Sequence, residues 1–272
     1  MSTKEFRTKM LLGQLSKLFT KPHAKECKDV ASLPVKKVLV VAPHADDEVI
    51  GCGAAIDHFV RSGAQVTVLI VTQESDKSIA KKYDYTAKER IKESQRAKKI
   101  LGYQELIYFD FPELGLRDKN RLQVDFGQQL QDLIFKIRPN AVFIPNEKEM
   151  HPDHKVVGSV ALSIITEGKM KGWFNFLQFV LIYEVWGPVF MNSFLKVNYN
   201  AKRKKKRSID CYASQLSSVD YNQIMEFVGK RRASDLKALP KDPIDVRQQL
   251  AEAYTLYEEH DLLHGNKVMF SL

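Results

Sequence analysis

Apolar runs alternate with amphipathic stretches along the chain from Lys36 onward. Residues 38–42 form an unbroken apolar run rich in β-branched side chains, typical of a strand buried on both faces of a parallel sheet. The stretches between the runs carry apolar residues at helical spacing. The pattern predicts strands at 38–42, 65–72, 106–109, 141–144, 179–185 and 194–199. It predicts helices at 48–61, 86–101, 126–137, 152–166, 221–239 and 246–257, and another beginning near Ser208.

This order of elements predicts an α/β fold: a three-layer, Rossmann-like arrangement with a mostly parallel sheet, helices on both faces and a C-terminal helical segment.

Residues 1–34 lie outside this predicted domain. Apolar residues such as Phe6 and Met10 recur there at helical spacing among lysines and arginines, which predicts a basic amphipathic arm. The arm would pack on its own domain or a second subunit, or lie on an anionic membrane surface. Residues 35–272 are expected to form one domain.

Composition is that of a folded chain. The 272 residues are 44% hydrophobic and 28% charged, which argues against disorder. We see no secretory pattern and no apolar run of the roughly 18–20 residues that a membrane span needs. Cys27, Cys52 and Cys211 are an odd, widely spaced set that indicates no disulfide framework and favours a cytoplasmic setting.

The net charge of +9 fits anionic partners or a solubilising surface. Its densest part is the run of lysines and arginines at residues 202–207. This run has no interleaved aromatic residues on which bases could stack. It is therefore expected to be a solvated loop, and no nucleic-acid partner is expected.

Two polar clusters follow two of the predicted strands. The first comprises His44, Asp46, Asp47 and Glu48, and the second comprises His151, Asp153 and His154. Aspartates at a helix start are also ordinary caps. However, the carboxyl ends of central parallel strands converge on one crevice, so we expect the two clusters to meet and form a site.

Two imidazoles and a carboxylate without a nearby cysteine are typical of a catalytic zinc site with open positions. Iron or another divalent metal fits the same ligands. Neighbouring side chains at a helix start diverge by about 100°, so Asp46 and Asp47 are expected to differ in role, one binding metal and one acting as a base. With Pro152 as the first helical residue, His151 is predicted to be the N-cap and His154 to lie one turn further in.

At this point the sequence resembles a known family. Residues 43–48, Pro-His-Ala-Asp-Asp-Glu, are similar to the Pro-His-Pro-Asp-Asp-Glu signature of the LmbE-like, or PIG-L, N-deacetylases. Residues 151–154 resemble their second motif, His-Pro-Asp-His. Weaker matches are the Arg-x-x-Glu helix at residues 90–93, a Tyr-Glu segment at 183–184 and a Ser-Gln motif within 212–215. Ala45 replaces the usual proline, Glu113 stands where the family often has aspartate, and residues 146–150 lack a tyrosine that some members use near the leaving group.

The resemblance implies roles for individual residues. His44, Asp47 and His154 would be the metal ligands and Asp46 the general base. His151 would stabilise the oxyanion, with Asp153 beside it as an orienting carboxylate. The residues implied in substrate binding are Arg90, Glu93, Tyr183 and Glu184, where Arg90 and Glu93 could equally be a surface ion pair.

The expected activity is metal-dependent removal of the acetyl group from an N-acetylated amino sugar or glycoconjugate, with Asp46 or His151 as the acid. The basic charge favours a phosphate-bearing or lipid-linked substrate. Alternatives are a metal hydrolase of another amide or a phosphoester, and a non-catalytic protein that binds nucleic acid or a membrane surface. The arm at residues 1–34 would allow peripheral contact with the inner membrane surface, and a homo-oligomer remains open.

Overall fold

The computed structural model describes residues 1–18, 27–73, 87–116, 120–238 and 250–264. Within them, eight strands form one sheet. The strands are β1 (Lys28–Asp29), β2 (Lys37–Ala42), β3 (Gln65–Gln73), β4 (Glu105–Pro112), β5 (Ala141–Pro145), β6 (Phe179–Tyr183), β7 (Ser193–Val197) and β8 (Leu250–Glu258). The helices are α1 (Thr3–Leu18), α2 (Asp47–Arg61), α3 (Ala87–Leu101), α4 (Asn120–Ile137), α5 (Pro152–Met170), α6 (Tyr199–Ile209), α7 (Ala213–Leu216), α8 (Tyr221–Lys237) and α9 (Glu259–His264).

The order of strands places β2 and β5 side by side in the interior of the sheet. Across the sheet the order is β1-β7-β8-β6-β5-β2-β3-β4, and β8 runs antiparallel to β6 and β7 while the other pairs are parallel. The chain proceeds from β2 to β3 and β4 in one direction, then returns to β5 and β6 on the other side of β2. The boundary between β2 and β5 is therefore a topological switch point, where open α/β sheets bind their ligands.

Helices cover both faces of the sheet. Alternate residues of β2 enter two separate cores, Val38 and Val40 on one face and Leu39 and Val41 on the other. Helices α2, α3 and α6 close the first core, and α4 and α5 close the second. This arrangement confirms the predicted fold class of a mostly parallel α/β sheet between two helical layers.

The predicted helix at 246–257 is wrong. Residues 246–249 lie outside the described residues, and the rest of the stretch is strand β8, inserted between β6 and β7. Leu250 to Leu256 are buried without alternation because the strand lies between neighbours and is covered on both faces. A short apolar run of this kind does not distinguish a buried strand from a buried helix.

The prediction that residues 202–207 form a loop is also wrong, because the run lies inside α6. Asn198 caps this helix by accepting a hydrogen bond from the backbone of Ala201. Lys204 contacts Asp57 at 2.7 Å and Lys205 contacts Glu252 at 2.5 Å. These contacts bind α6 to α2 and β8, so part of the basic run is neutralised within the molecule.

The N-terminal helix α1 lies against α8. Its Thr8 and Leu15 are buried, and the Thr8 hydroxyl accepts a hydrogen bond of 3.0 Å from the backbone N–H of Asp220. Among the described helices, none is both long and apolar enough to span a membrane. Contact of this segment with a membrane surface or a second subunit stays a prediction.

Candidate active site

The first polar cluster occupies a tight turn between β2 and α2. The Pro43 carbonyl accepts two hydrogen bonds of 2.9 Å from the backbone and hydroxyl of Thr72, which fastens the turn to the end of β3. Asp46 has a φ of 127° and a ψ of −29°, and its carbonyl accepts from the N–H groups of Val49 and Ile50. The turn therefore starts the helix at Asp47 through an unusual backbone conformation.

The second cluster opens α5 after β5. His151 is the N-cap and its Nδ1 accepts a hydrogen bond of 3.2 Å from the backbone N–H of Asp153. Pro152 follows as the first helical residue, and His154 lies three residues after the N-cap, about one turn further in, as the sequence predicted. Because β2 and β5 are adjacent and parallel, this turn faces the first cluster directly.

Three donor atoms converge between the two clusters. Asp47 Oδ2 lies 3.1 Å from His44 Nδ1 and 3.0 Å from His154 Nε2, and the two nitrogens are 3.2 Å apart. All three side chains are largely buried. Bonds of about 2 Å to a tetrahedral zinc ion place donor atoms about 3.3 Å apart, so the triangle has the size of one face of such a site.

Asp153 contacts the ring nitrogen of His44 that lies outside the triangle. Its Oδ2 lies 3.0 Å from His44 Nε2 and also accepts a hydrogen bond of 2.8 Å from the backbone of Leu114. Because Nε2 faces Asp153, Nδ1 is the His44 nitrogen that lies in the triangle. A carboxylate behind a metal-binding histidine is a common arrangement, because it fixes the tautomer and increases ligand basicity. Asp153 therefore orients His44, whereas the sequence suggested that it orients His151.

His151 lies beside the triangle, with its ring centroid 4.6 Å from that of His44. One nitrogen from each of His44, His151 and His154 lies within 4.8 Å of the others, so the three imidazoles are an alternative ligand set. However, His151 Nδ1 is occupied by the Asp153 N–H, and the set that includes Asp47 is tighter. Burial and the neighbouring histidines lower the pKa of His151 to about 4. A neutral His151 that accepts at Nδ1 carries its hydrogen on Nε2 and is a donor there.

Asp46 is buried, with 5% of its surface exposed. Burial raises the pKa of its carboxyl group well above the usual value, and the positive charge of Arg90 opposes this rise. Arg90 Nη2 lies 3.7 Å from Asp46 Oδ1 and donates to the carbonyl oxygen of Ala45. The structure thus places Arg90 beside Asp46, the candidate base, and beside the peptide group that precedes it.

The other residues implied in substrate binding have partners inside the protein. Glu93 accepts hydrogen bonds from the backbone and hydroxyl of Ser214 at 2.8 and 2.6 Å. Tyr183 is fully buried and donates to the carbonyl of Val41 at 2.9 Å. Glu184 pairs with Arg232, and this ion pair is buried as well. These contacts give Glu93, Tyr183 and Glu184 structural roles in the described fold.

Sequence reasoning assigned no role to two buried residues of the site. Glu48 is fully buried and accepts a hydrogen bond of 3.0 Å from the backbone N–H of Asp46. Tyr212, also fully buried, donates its hydroxyl hydrogen to Glu48. Both residues belong to motifs that were recognised, but a buried tyrosine–carboxylate contact between segments 164 residues apart has no local signal in the sequence.

Side chains from β8 and α6 support the middle of α2. Glu252 of β8 accepts hydrogen bonds of 2.9 and 3.0 Å from the backbone N–H groups of Ala54 and Ala55, and Lys205 donates to the carbonyl of Ile50 at 2.7 Å. Interior helical groups of this kind normally bond to each other. A cavity of about 630 Å³ adjoins this ion pair, and none of the seven residues of the two polar clusters lines it. The candidate site is therefore identified by its cluster of donor atoms and not by the size of this cavity.

Comparisons with known proteins agree with the motifs. Residues 39–165 match the model of the PIG-L family, GlcNAc-PI de-N-acetylase. A segment of 137 residues, 48% of this chain, is 30% identical to a diacetylchitobiose deacetylase of Thermococcus kodakarensis. The matched segment spans half the length of that curated relative.

Solved structures share the fold. An N,N'-diacetylchitobiose deacetylase from Pyrococcus horikoshii superimposes with a TM-score of 0.66 at 18% identity, covering 96% of this chain and 95% of that one. GalB, the 4-carboxy-2-hydroxymuconate hydratase of Pseudomonas putida KT2440, gives a TM-score of 0.65 at 19% identity, covering 81% of this chain and 95% of that one. Because a hydratase shares the fold, the fold does not determine the reaction.

Proposed function

We propose that this chain, whose residues 39–165 match the PIG-L family model, is a metal-dependent N-deacetylase. Its substrate would be an N-acetylated amino sugar or a glycoconjugate that carries one, and its products acetate and the free amine. The observation that carries this proposal is the triangle of His44, Asp47 and His154 donor atoms at the switch point of the sheet.

His44, Asp47 and His154 would hold the metal ion, with zinc preferred and Fe²⁺ a chemically reasonable alternative. The donor set fits because two nitrogens and a carboxylate oxygen face one point at tetrahedral spacing. A divalent ion there would supply Lewis acidity toward the acetamide carbonyl and the attacking water. Asp153 fixes the tautomer of His44 that such binding needs.

Asp46 is the proposed general base. Its carboxylate would take a proton from the attacking water, and a raised pKa makes the carboxylate a better proton acceptor than an exposed aspartate. Arg90, 3.7 Å away, opposes the effect of burial and favours the ionised carboxylate. The oxygen of the water bonds to the carbonyl carbon as this proton leaves.

His151 would stabilise the negative charge that develops on the carbonyl oxygen, since its neutral ring carries a hydrogen on Nε2. When the C–N bond breaks, the amine nitrogen needs a proton. Asp46 holds one from the first step, whereas His151 with a lowered pKa does not carry a spare proton near neutral pH. We therefore assign the return of the proton to Asp46.

We extend the proposal to residues 35–272 as one catalytic domain. The strands that complete the sheet around β2 and β5 continue to Glu258, and the supports of α2 come from α6 and β8. A shorter fragment that ended at residue 165 would lack β6, β7 and β8.

The test is metal analysis of the purified protein combined with acetate release from N-acetylglucosamine and N,N'-diacetylchitobiose. Asp46→Asn is expected to keep the metal and lose about 10²–10⁴-fold in kcat, the usual contribution of a general base. Asp47→Asn is expected to lose metal. Asp125→Asn, on the exposed surface of α4, is the matched control and should behave like the wild type.

Two outcomes would contradict the proposal. A protein that retains no divalent metal, and releases no acetate after zinc is restored, is not this enzyme. If Asp46→Asn loses the metal while Asp47→Asn keeps it, the roles of the two aspartates are reversed.

A further inference from the structure

Asp46 has a backbone conformation that residues with a side chain rarely adopt. Its φ is 127° with a ψ of −29°, and such strain persists only where the surroundings hold it in place. The value of φ depends on the orientation of the peptide between Ala45 and Asp46. Rotation of that peptide by about 180° would change φ to about −53°, within the ordinary helical region. Some interaction must therefore oppose this relaxation.

Side chains of Arg90 and Glu48 hold the two polar atoms of this one peptide. The carbonyl oxygen of Ala45 accepts a hydrogen bond from the guanidinium group of Arg90. The N–H of Asp46 donates to Glu48 Oε2 at 3.0 Å. A rotated peptide would direct its carbonyl toward the Glu48 carboxyl group and its N–H toward Arg90. Acceptor oxygens would then face the carbonyl, and guanidinium donors would face the N–H. Both hydrogen bonds would be lost, so the two contacts together favour the strained orientation.

Tyr212 holds Glu48 in position for this contact. Its hydroxyl donates to Glu48 Oε1, which leaves Oε2 directed at the Asp46 N–H. Tyr212 is the residue before α7, and Ser214 in the same helix is bound by Glu93 of α3. Helix α3 also carries Arg90. The contact between Ser214 and Glu93 therefore links the segment that holds Glu48 to the helix that carries Arg90.

We infer that Tyr212 and Glu48 are positioning residues that, opposite Arg90, hold the peptide between Ala45 and Asp46 and so direct the Asp46 carboxylate at the reaction centre. This inference rests on the proposed role of Asp46 as the base. Neither Tyr212 nor Glu48 has exposed surface, so neither would touch the substrate.

Tyr212→Phe is the direct test, because it keeps the aromatic ring and removes only the donor to Glu48. We expect kcat to fall about tenfold or more, since small displacements of a catalytic group have large effects. KM should stay within about twofold and the metal content should be unchanged, because the donor atoms of the triangle are not touched.

Tyr254→Phe is the matched control. Tyr254 is likewise fully buried and donates to a buried carboxylate, Glu252 Oε2, at 2.6 Å. Its removal should lower the melting temperature about as much as Tyr212→Phe does, while kcat stays within about twofold of wild type. If Tyr212→Phe does not fold, Glu48→Gln is the second variant. Glutamine has one acceptor oxygen, so it cannot accept from the Asp46 N–H and the Tyr212 hydroxyl with separate oxygens, and a several-fold loss of kcat is expected.

Crystal structures of the wild type and of Tyr212→Phe provide a measurement that does not require activity. The wild type should show one orientation of the peptide between Ala45 and Asp46, and the variant should show the rotated orientation as well. If the wild type releases no acetate but the variant shows the rotated peptide, the proposed function fails and the positioning role stands. An unchanged peptide in the variant, unchanged kcat, or an equal loss of kcat in Tyr254→Phe overturns the inference.

Discussion

The contact between Asp153 and His44 leads to a quantitative prediction for Asp153→Asn. Asp153 is fully buried and uses one oxygen, Oδ2, for both His44 Nε2 at 3.0 Å and the Leu114 N–H at 2.8 Å. The amide oxygen of asparagine can accept both hydrogen bonds. The substitution therefore removes the negative charge behind His44 and leaves the size of the side chain nearly unchanged.

The size of the effect follows from this difference. A hydrogen bond to a charged group contributes about 1.5–3 kcal/mol and a neutral one about 0.5–1.5 kcal/mol, so the charge is worth about 1–1.5 kcal/mol. At about 1.4 kcal/mol per decade, that is roughly a tenfold change in an equilibrium constant. Loss of a carboxylate behind a metal ligand typically weakens metal binding by about 10–100-fold. We expect the zinc affinity of Asp153→Asn to fall within this range.

Competition with a chelator of known zinc affinity measures this effect, with Asp125→Asn as the control. Asp47→Asn, which changes a donor atom itself, should weaken zinc binding more than Asp153→Asn. If Asp153→Asn binds zinc within about twofold of wild type but turns over more slowly, Asp153 acts on His151, and the argument from the His44 contact is refuted.

Three further predictions concern ion pairs and protons. Glu184→Gln leaves Arg232 buried without its main partner and should lower the free energy of unfolding by about 3 kcal/mol in a urea titration, with KM unchanged. Lys205→Met should cost roughly as much in the same assay, because it leaves the Glu252 carboxylate buried without a cation. Burial lowers the pKa of His44, but hydrogen bonds to two carboxylates outweigh it and raise that pKa well above its usual value. A proton then competes with the metal, so zinc affinity measured by chelator competition should fall between about pH 8 and about pH 6.

Each of these predictions has a contradicting result. A raised KM in Glu184→Gln with unchanged stability would restore Glu184 as a substrate contact. Lys205→Met with wild-type stability would show that its contacts with Ile50 and Glu252 do not support α2. Equal zinc affinity at about pH 6 and about pH 8 would mean that no proton leaves His44 on metal binding.

The centre of the fold could be predicted from the sequence because its signals are local. The apolar run before Pro43 and the proline after His151 define a strand end and a helix start within a few residues. Parallel pairing then brings the two turns together without further information. For this reason the predicted ligand residues His44, Asp47 and His154 lie in one place.

The remaining features depend on contacts between distant segments. Lysines of the run at 202–207 form ion pairs with carboxylates of α2 and β8, and these contacts hold the run as part of a helix. The sequence around the run contains no signal for such distant partners. Tyr183 and Glu93 belong to motifs that resemble a family's, but a motif match does not tell whether a side chain faces the substrate or the core. Tyr183 faces Val41 and Glu93 faces Ser214.

The support of α2 by β8 also bears on how the protein is made. Asp46 and Asp47 emerge from the ribosome about 200 residues before Glu252, whose carboxylate takes the N–H groups of Ala54 and Ala55. Contacts so far apart in the chain form late and slow folding. A nascent chain therefore carries His44, Asp47 and His154 before β8 is available to support α2, and premature termination before β8 should yield a product without a finished site.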